Sequence, residues 1–411
     1  MAARPVAEDL AAAARPFVGG ELPVRLRAWD GSEVGPADAP VLVLHRRRAL
    51  RRLLWRPDEV GLARAYVTGD LDVDGDLDDG FRRVWELARA RGSRAHRPGT
   101  REQLRALGTA VRLGGVGLPP RRPASEARIR GRRHSRDRDR AVISHHYDLS
   151  NDFYALLLDE HMAYSCAYWA ADRPGASLAD AQRAKLELVC EKLGLRPGMR
   201  LLDVGCGWGS LSIHAAREHG VRVTGITLSR EQRELARKRA ADHGVSDLVD
   251  VRLQDYRDVH DGPYDAAASI EMGEHVGDQQ YPTFVGTVHR ALAPGGRFLV
   301  QQMSRPAGSS PGGGPFIESY IAPDMHMRPL GETVGLLERG GFEVRDVQAL
   351  REHYVRTGAE WRANLERRWG DVVALVGEEV ARVWRLYLVG GSLAFAEGRM
   401  GVDQILVAKS T

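Results

Sequence analysis

The sequence predicts an α/β protein: a Rossmann-like, largely parallel sheet of seven strands in its second part, preceded by a smaller N-terminal α+β domain. Three observations predict it. Residues 201–209, Leu-Leu-Asp-Val-Gly-Cys-Gly-Trp-Gly, run from an apolar strand through an acid into three closely spaced glycines. Glycines let a backbone pass close to a ligand, and an acid at a strand end can take a ligand cation or hydroxyl. From about residue 141, the pattern becomes one of short apolar runs alternating with helical patterns, the signature of parallel strands joined by right-handed crossovers. A helix over 280–292 then stops at Pro294-Gly295-Gly296 before another apolar run.

In chain order, residues 180–193 read as a helix and 200–204 as the first strand of this sheet. Helix 209–219, strand 221–227, helix 229–243 and strand 249–254 follow. Tyr264–Ile270 is the fourth strand and 297–303 the fifth. Residues 304–315, rich in Pro, Gly and Ser, form a loop. A mostly helical stretch is interrupted by a strand near 342–348, and Gln404–Ala408 completes the set of seven.

The glycine turn narrows the ligand. Its spacing is Gly205-x-Gly207-x-Gly209, not the dinucleotide Gly-x-Gly-x-x-Gly, and no acid follows about 20 residues on, where an NAD ribose would be held. The second strand ends instead in Ile226-Thr227-Leu228-Ser229. Together these favour S-adenosylmethionine over NAD.

Composition bounds the rest. A chain of 411 residues accommodates two domains. The net charge of +4 suits an anionic partner such as a phospholipid surface or nucleic acid. Three cysteines, Cys166, Cys190 and Cys206, are too few and too scattered for a disulfide framework and lack metal-ligand spacing; no metal site is expected. No stretch approaches the roughly 20 apolar residues of a membrane span, and the first residues show no signal-peptide core. The expectation is a cytoplasmic protein whose membrane contact is peripheral.

The first domain is expected to run over residues 1–118 and to seat lipid. Segment 46–56, Arg-Arg-Arg-Ala-Leu-Arg-Arg-Leu-Leu-Trp-Arg, is basic and amphipathic. It reads either as a face against anionic headgroups, with Trp55 at the interface, or as a solvated helix with Leu50, Leu53 and Leu54 in the core. Residues 70–78, Asp-Leu-Asp-Val-Asp-Gly-Asp-Leu-Asp, lack the twelfth-position Glu of a calcium loop; they read as a strand edge and turn. Residues 119–140 read as a basic flexible linker with almost no apolar content. The catalytic domain is expected over 141–411.

Four islands flank the glycine turn: Ser144-His145-His146-Tyr147-Asp148-Leu149-Ser150-Asn151-Asp152-Phe153-Tyr154; Tyr164-Ser165-Cys166-Ala167-Tyr168-Trp169; Ser269-Ile270-Glu271-Met272-Gly273-Glu274-His275-Val276-Gly277; and His353-Tyr354-Val355-Arg356-Thr357. In this order they make the chain resemble the cyclopropane-fatty-acyl-phospholipid synthase family, densely over 140–411 and weakly through Arg64–Val73. The resemblance implies a class I methyltransferase fold with helical lid insertions. It also implies transfer of a one-carbon unit from S-adenosylmethionine to a cis double bond of an acyl chain. An alkene is a weak nucleophile, so the sulfonium methyl must be held in line with it. The carbocation that follows needs aromatic faces, exclusion of water, and a base to remove a proton.

The resemblance implies that this base is a bound bicarbonate, held by Cys166, Glu274 and Tyr354. At a fourth family position, a histidine, this chain has Gln301, which donates a hydrogen bond but carries no charge. His275 is a further candidate, equally readable as a structural histidine. Cofactor contacts carried over from the family are Tyr164, Ser165, Asp203, Gly205, Gly207, Thr227, Leu228, Gln232, Gln254, Asp255, Tyr256 and Ile270. Cys166 also reads as a small buried hydrophobe, and Trp361 as core or acyl-tunnel lining.

The segments Gln301–Arg305, Pro311–Gly314 and Ile317–Ile321 resemble the branch that converts an oleoyl chain to 10-methylene-stearoyl, which a flavin-type reductase then reduces to the 10-methyl acid. The ring-forming cyclopropane synthase is the alternative product. An RNA methyltransferase is disfavoured because stacking aromatics for single strands are missing. Family likeness implies a homodimer.

Overall fold

The computed structural model describes residues 4–91, 99–127, 131–147, 150–170 and 175–411. The side chains of Ser144, His145, His146 and Tyr147, the residues Asp148 and Leu149, and the linker arginines Arg128 and Arg130 lie outside the described residues.

The chain divides into two compact units, Met1–Glu126 with Val376–Leu393, and Ala127–Leu375 with Ala394–Thr411. The first unit thus takes in a late segment that the sequence reading had left in the catalytic domain. That segment lies in the long helix Trp369–Ala396, interrupted at Gly377, whose φ of 79° leaves the helical region. Arg382 holds it in place. Its buried guanidinium donates to the carbonyls of Tyr66 and Leu71, and lies 4.4 Å from the Tyr66 ring centroid.

In the first unit, β1 (Arg25–Arg27), β2 (Glu33–Val34), β3 (Val41–Leu44) and β4 (Leu71–Asp74) form a sheet in the order β2-β1-β3-β4. The Asp-rich run resolves at Asp70. Its buried carboxylate accepts from Arg48, Arg52 and Thr68, so it is committed to arginines. Those arginines come from the basic helix Arg48–Trp55, which buries Ala49, Leu50 and Arg52 and leaves Trp55 58% exposed.

The second unit holds the seven-stranded sheet. Its strands are β5 (Arg200–Val204), β6 (Arg222–Thr227), β7 (Val249–Leu253), β8 (Tyr264–Ile270), β9 (Leu292–Ser304), β10 (Phe342–Ala349) and β11 (Gly401–Lys409). Their order is β10-β11-β9-β8-β5-β6-β7. Strands β5 to β9 run parallel, and β11 pairs antiparallel with both β9 and β10. The strands stand where the sequence pattern puts them, except that β9 starts earlier, at Leu292, and β11 starts three residues earlier, at Gly401. Apolar clusters cover both faces, as a parallel sheet requires.

Among its described residues, the basic stretch 119–140 departs from a solvated tether. Helix Arg136–Tyr147 begins within it. Arg138 makes a two-pronged contact with the buried Asp324, at 2.5 and 3.0 Å, and Arg136 does the same with Asp258, at 2.7 and 2.8 Å. The low apolar content was a true observation, but charge pairing orders these residues where apolar burial does not.

Candidate active site

In this strand order the chain crosses to opposite faces of the sheet on either side of β5. That leaves a crevice beyond the carboxyl ends of β5, β6 and β8. A cavity opens there, lined by Asp203 and Val204 from β5, Ile226 and Thr227 from β6, and Ile270 from β8.

The turn after β5 forms one wall. Gly205, Gly207 and Gly209 have φ of 84°, 53° and 81°. A Cβ on Gly205 would stand 2.9 Å from Met272 Cγ, so only glycine fits. The amides of Gly205 and Cys206 both donate to the Ile226 carbonyl at 3.0 Å, fixing the turn to β6. Asp203 accepts from Ser212 Oγ at 2.7 Å, and burial pushes its carboxyl up to about 6.

Beyond β6, Ser229 caps helix Arg230–Asp242 by accepting the Gln232 amide. Thr227 Oγ1 donates to Gln232 Oε1 at 2.8 Å, and Thr227, Leu228 and Gln232 all line the cavity. After β7, Gln254 and Tyr256 line it too. Asp255 does not. Its carboxylate accepts from the Arg257 backbone and guanidinium at 2.6–2.9 Å, and Arg257 takes the wall position instead. The Asp255 carboxylate thus closes a local turn.

Tyr164 and Ser165 line the opposite side. Helix Leu178–Leu193 holds their loop: Gln182 donates to the carbonyls of Ala163 and Ser165, and the Lys185 amine donates to Ser165 Oγ at 2.8 Å. Lys185 is buried, which pulls its pKa down. Sequence reasoning missed it because a lysine in a helix reads as surface. The signal was its place among Ala181, Gln182, Leu186 and Val189 on the buried helical face.

Three of the five candidate catalytic residues, Cys166, Gln301 and Tyr354, converge, and they do so on an acid to which the sequence assigns no role. Glu271 lines the cavity at the end of β8. Its Oε1 accepts from the Cys166 backbone amide at 2.7 Å and from Gln301 Nε2 at 2.9 Å. Its Oε2 accepts from the Tyr354 hydroxyl at 2.7 Å. Gln301 is held in turn by Gln404, which donates to its Oε1 at 3.0 Å. Burial raises the Glu271 carboxyl, and the Cys166 amide, Tyr354, Gln301 and Lys185 pull against that rise.

Cys166, Glu274, Gln301 and Tyr354 are not themselves in the cavity lining. The Cys166 thiol points to the Ala167 and Leu350 carbonyls, and burial pushes it well above the usual thiol range. Glu274 is fully buried, its Oε1 accepting the Met303 amide at 2.5 Å. His275 does line the cavity, and burial lowers it to about 4, so its ring is neutral. The set does not fit a bound bicarbonate: the donors expected to hold that anion are spent on Glu271, and Glu274 is turned away.

Aromatic rings stand beside this cluster. Tyr354 stacks on Phe395 at 4.3 Å and meets the buried Trp361 edge-on at 5.9 Å. Trp361 reaches Tyr164 at 5.2 Å, and Tyr154 bridges Tyr164 and Trp208 at 5.6 and 4.6 Å. The second and fourth islands are stitched together here. Thr357 Oγ1 accepts from the Ala167 amide and the Trp169 indole, and His353 Nδ1 accepts the Trp169 amide.

Away from the cavity, folding gathers Cys190, His214 and His219, whose ligand-type atoms lie within 4.8 Å of one another despite their unpromising spacing in sequence. Glu187 accepts from both histidine Nε2 atoms, at 2.9 and 3.2 Å, which satisfies them without an ion.

Comparison with known proteins places this architecture. Residues 134–405 match the family model for mycolic acid cyclopropane synthetase. The chain is 40% identical, over 95% of its length and 92% of the relative's, to a "probable fatty acid methyltransferase" of Mycobacterium tuberculosis. It is 34% identical to a tuberculostearic acid methyltransferase of the same bacterium, over 93% of this chain and 87% of that one. A crystal structure of mycolic acid cyclopropane synthase, solved with S-adenosylhomocysteine, superposes with a TM-score of 0.61 at 34% identity, covering 66% of this chain and 98% of that one. The chain belongs to the mycolic acid cyclopropane synthetase family and is an S-adenosylmethionine-dependent methyltransferase.

Proposed function

We propose that this enzyme transfers a one-carbon unit from S-adenosylmethionine to the cis double bond of an oleoyl phospholipid, giving 10-methylene-stearoyl. The observation that carries the reading is the cavity itself, where a glycine turn for the methyl donor shares one space with a carboxylate and aromatic rings. Asp203, Gly205, Gly207, Thr227, Leu228, Gln232, Gln254, Tyr256, Ile270, Tyr164 and Ser165 hold the donor. The donor's sulfonium presents an electrophilic methyl, which the alkene π electrons attack as the carbon–sulfur bond breaks. The π face of Tyr164, which lines the cavity, stabilises the carbocation and offers it no nucleophile. A hydride shift places the charge on the methyl-bearing carbon, and loss of a methyl proton leaves its electron pair as the π bond of a branching C=CH2 group. Likeness to the tuberculostearic acid methyltransferase, which spans 93% of this chain, supports this branch.

No helix among the described residues is long and apolar enough to cross a membrane. Access to lipid is assigned to the first unit as a peripheral surface. Leu104, Leu107 and Val111 stand 48–61% exposed at one-turn and two-turn spacing on helix Thr100–Arg112, which also carries exposed Arg101 and Arg105. Such a face suits an anionic bilayer. A reductase acting on the product and a homodimeric assembly complete the proposal.

Incubation with methyl-13C-labelled S-adenosylmethionine and oleoyl phospholipid vesicles, followed by NMR of the extracted chains, tests it. The label is expected at the =CH2 carbon of a branching methylene group. Label in a cyclopropane ring assigns the alternative product, and label on a headgroup overturns the acyl-chain reading.

A further inference from the structure

We infer that Glu271 is the enzyme's own general base, standing where a bound anion would otherwise be held, and that turnover needs no bicarbonate. The inference rests on the one-carbon transfer proposed above.

The geometry carries it. Three donors from three separate elements, the Cys166 amide, the Gln301 side-chain amide and the Tyr354 hydroxyl, converge within 2.7–2.9 Å on one carboxylate. That donor set would cradle a small oxyanion, and here it is filled by a side chain attached to the end of β8. The backbone pays for the placement: Glu271 has φ of 52°, in the left-handed region that non-glycine residues avoid. Strain of this kind persists where surrounding structure imposes it, and it clusters at active sites. The same residue lines the cavity with Asp203, Gly205 and Tyr164, which puts it at the edge of the space where substrate reacts.

The step balances without a further reactant. Once the methyl has moved and the cation has formed, a C–H bond on the transferred carbon breaks. Its proton goes to the Glu271 carboxylate, and its electron pair becomes the new carbon–carbon bond. Glu271 then returns the proton to solvent. Tyr354, Gln301 and the Cys166 amide are positioning groups that keep the carboxylate ionised and aimed. Burial that raises the carboxyl above the ordinary range makes it a stronger base.

Two variants test this, assayed in carbonate-free buffer and again with added sodium bicarbonate. Glu271→Gln keeps the shape and loses the base; turnover should fall by about 100-fold or more, with S-adenosylhomocysteine affinity unchanged within about threefold. Glu271→Gly empties the cradle and relaxes the backbone, since glycine accepts this φ. It should be as inactive without bicarbonate, fold at least as well by thermal melting, and regain activity when bicarbonate is added. Wild-type turnover should be the same in both buffers. A Glu271→Gln enzyme that retains its rate, or a wild type that depends on bicarbonate, overturns the inference. A wild type that leaves the lipid unchanged overturns the functional reading beneath it.

Discussion

Replacing Gly205 with valine is expected to lower S-adenosylmethionine affinity by about 100-fold or more while leaving the secondary structure intact. Two costs add. A β-branched residue at φ of 84° is strained by about 1–3 kcal/mol. Its Cβ would also press on Met272, 2.9–3.0 Å from Cγ and Cβ, and move the wall of the cavity. Each 1.4 kcal/mol is tenfold in affinity, so these terms reach the expected loss. Gly207→Ala provides the contrast. The added Cβ would meet only Gln232 Nε2, at 3.9 Å, so a loss of about tenfold or less is expected there. Isothermal titration with the donor, beside circular dichroism, separates the two. Equal, small effects at both positions would remove the turn from the binding site.

The second large effect is on stability against pH. Glu274 is sealed in the core beside another carboxylate, and burial with that like charge raises its carboxyl from 4.5 to about 8. The folded protein therefore keeps a proton that the unfolded chain releases near 4.5. Stability is fully present below that pH and is lost as pH rises toward about 8, by several kcal/mol at most. Asp203, raised to about 6, adds a smaller loss of the same sign. Glu274→Gln removes the larger part. Thermal melts from pH 5 to pH 9 should show the wild type falling steeply and the variant falling less, so the variant gains on the wild type toward alkaline pH. Parallel curves would show that Glu274 is already ionised in the fold.

Much of this was legible in the sequence. Most strand and helix bounds of the second unit follow from apolar periodicity, because a parallel sheet buries both faces and leaves a strong signal; Pro294-Gly295-Gly296 marks the end of the preceding helix but lies inside β9. The glycine turn marked the cofactor side, since only glycine tolerates those dihedrals next to Met272. What escaped were side-chain directions at one-residue resolution. Glu271 and Glu274 sit three apart, and nothing in their spacing says which one faces the cavity; the left-handed turn of Glu271 decides it. Asp255 likewise looked like a ligand and was taken by Arg257 two residues on. Arg382, buried against the Tyr66 and Leu71 carbonyls, shows why the late segment joins the first unit, a long-range pairing that no local pattern records.

The central claim is that an alkene carbon captures the donor's methyl and that the methyl then surrenders one proton. The most direct measurement uses donor carrying a fully deuterated methyl, purified enzyme and oleoyl phospholipid, read by mass spectrometry of the released acyl chains. The account predicts chains longer by one carbon that keep two of the three deuterons. Chains of unchanged mass, or a product retaining all three deuterons, would contradict it.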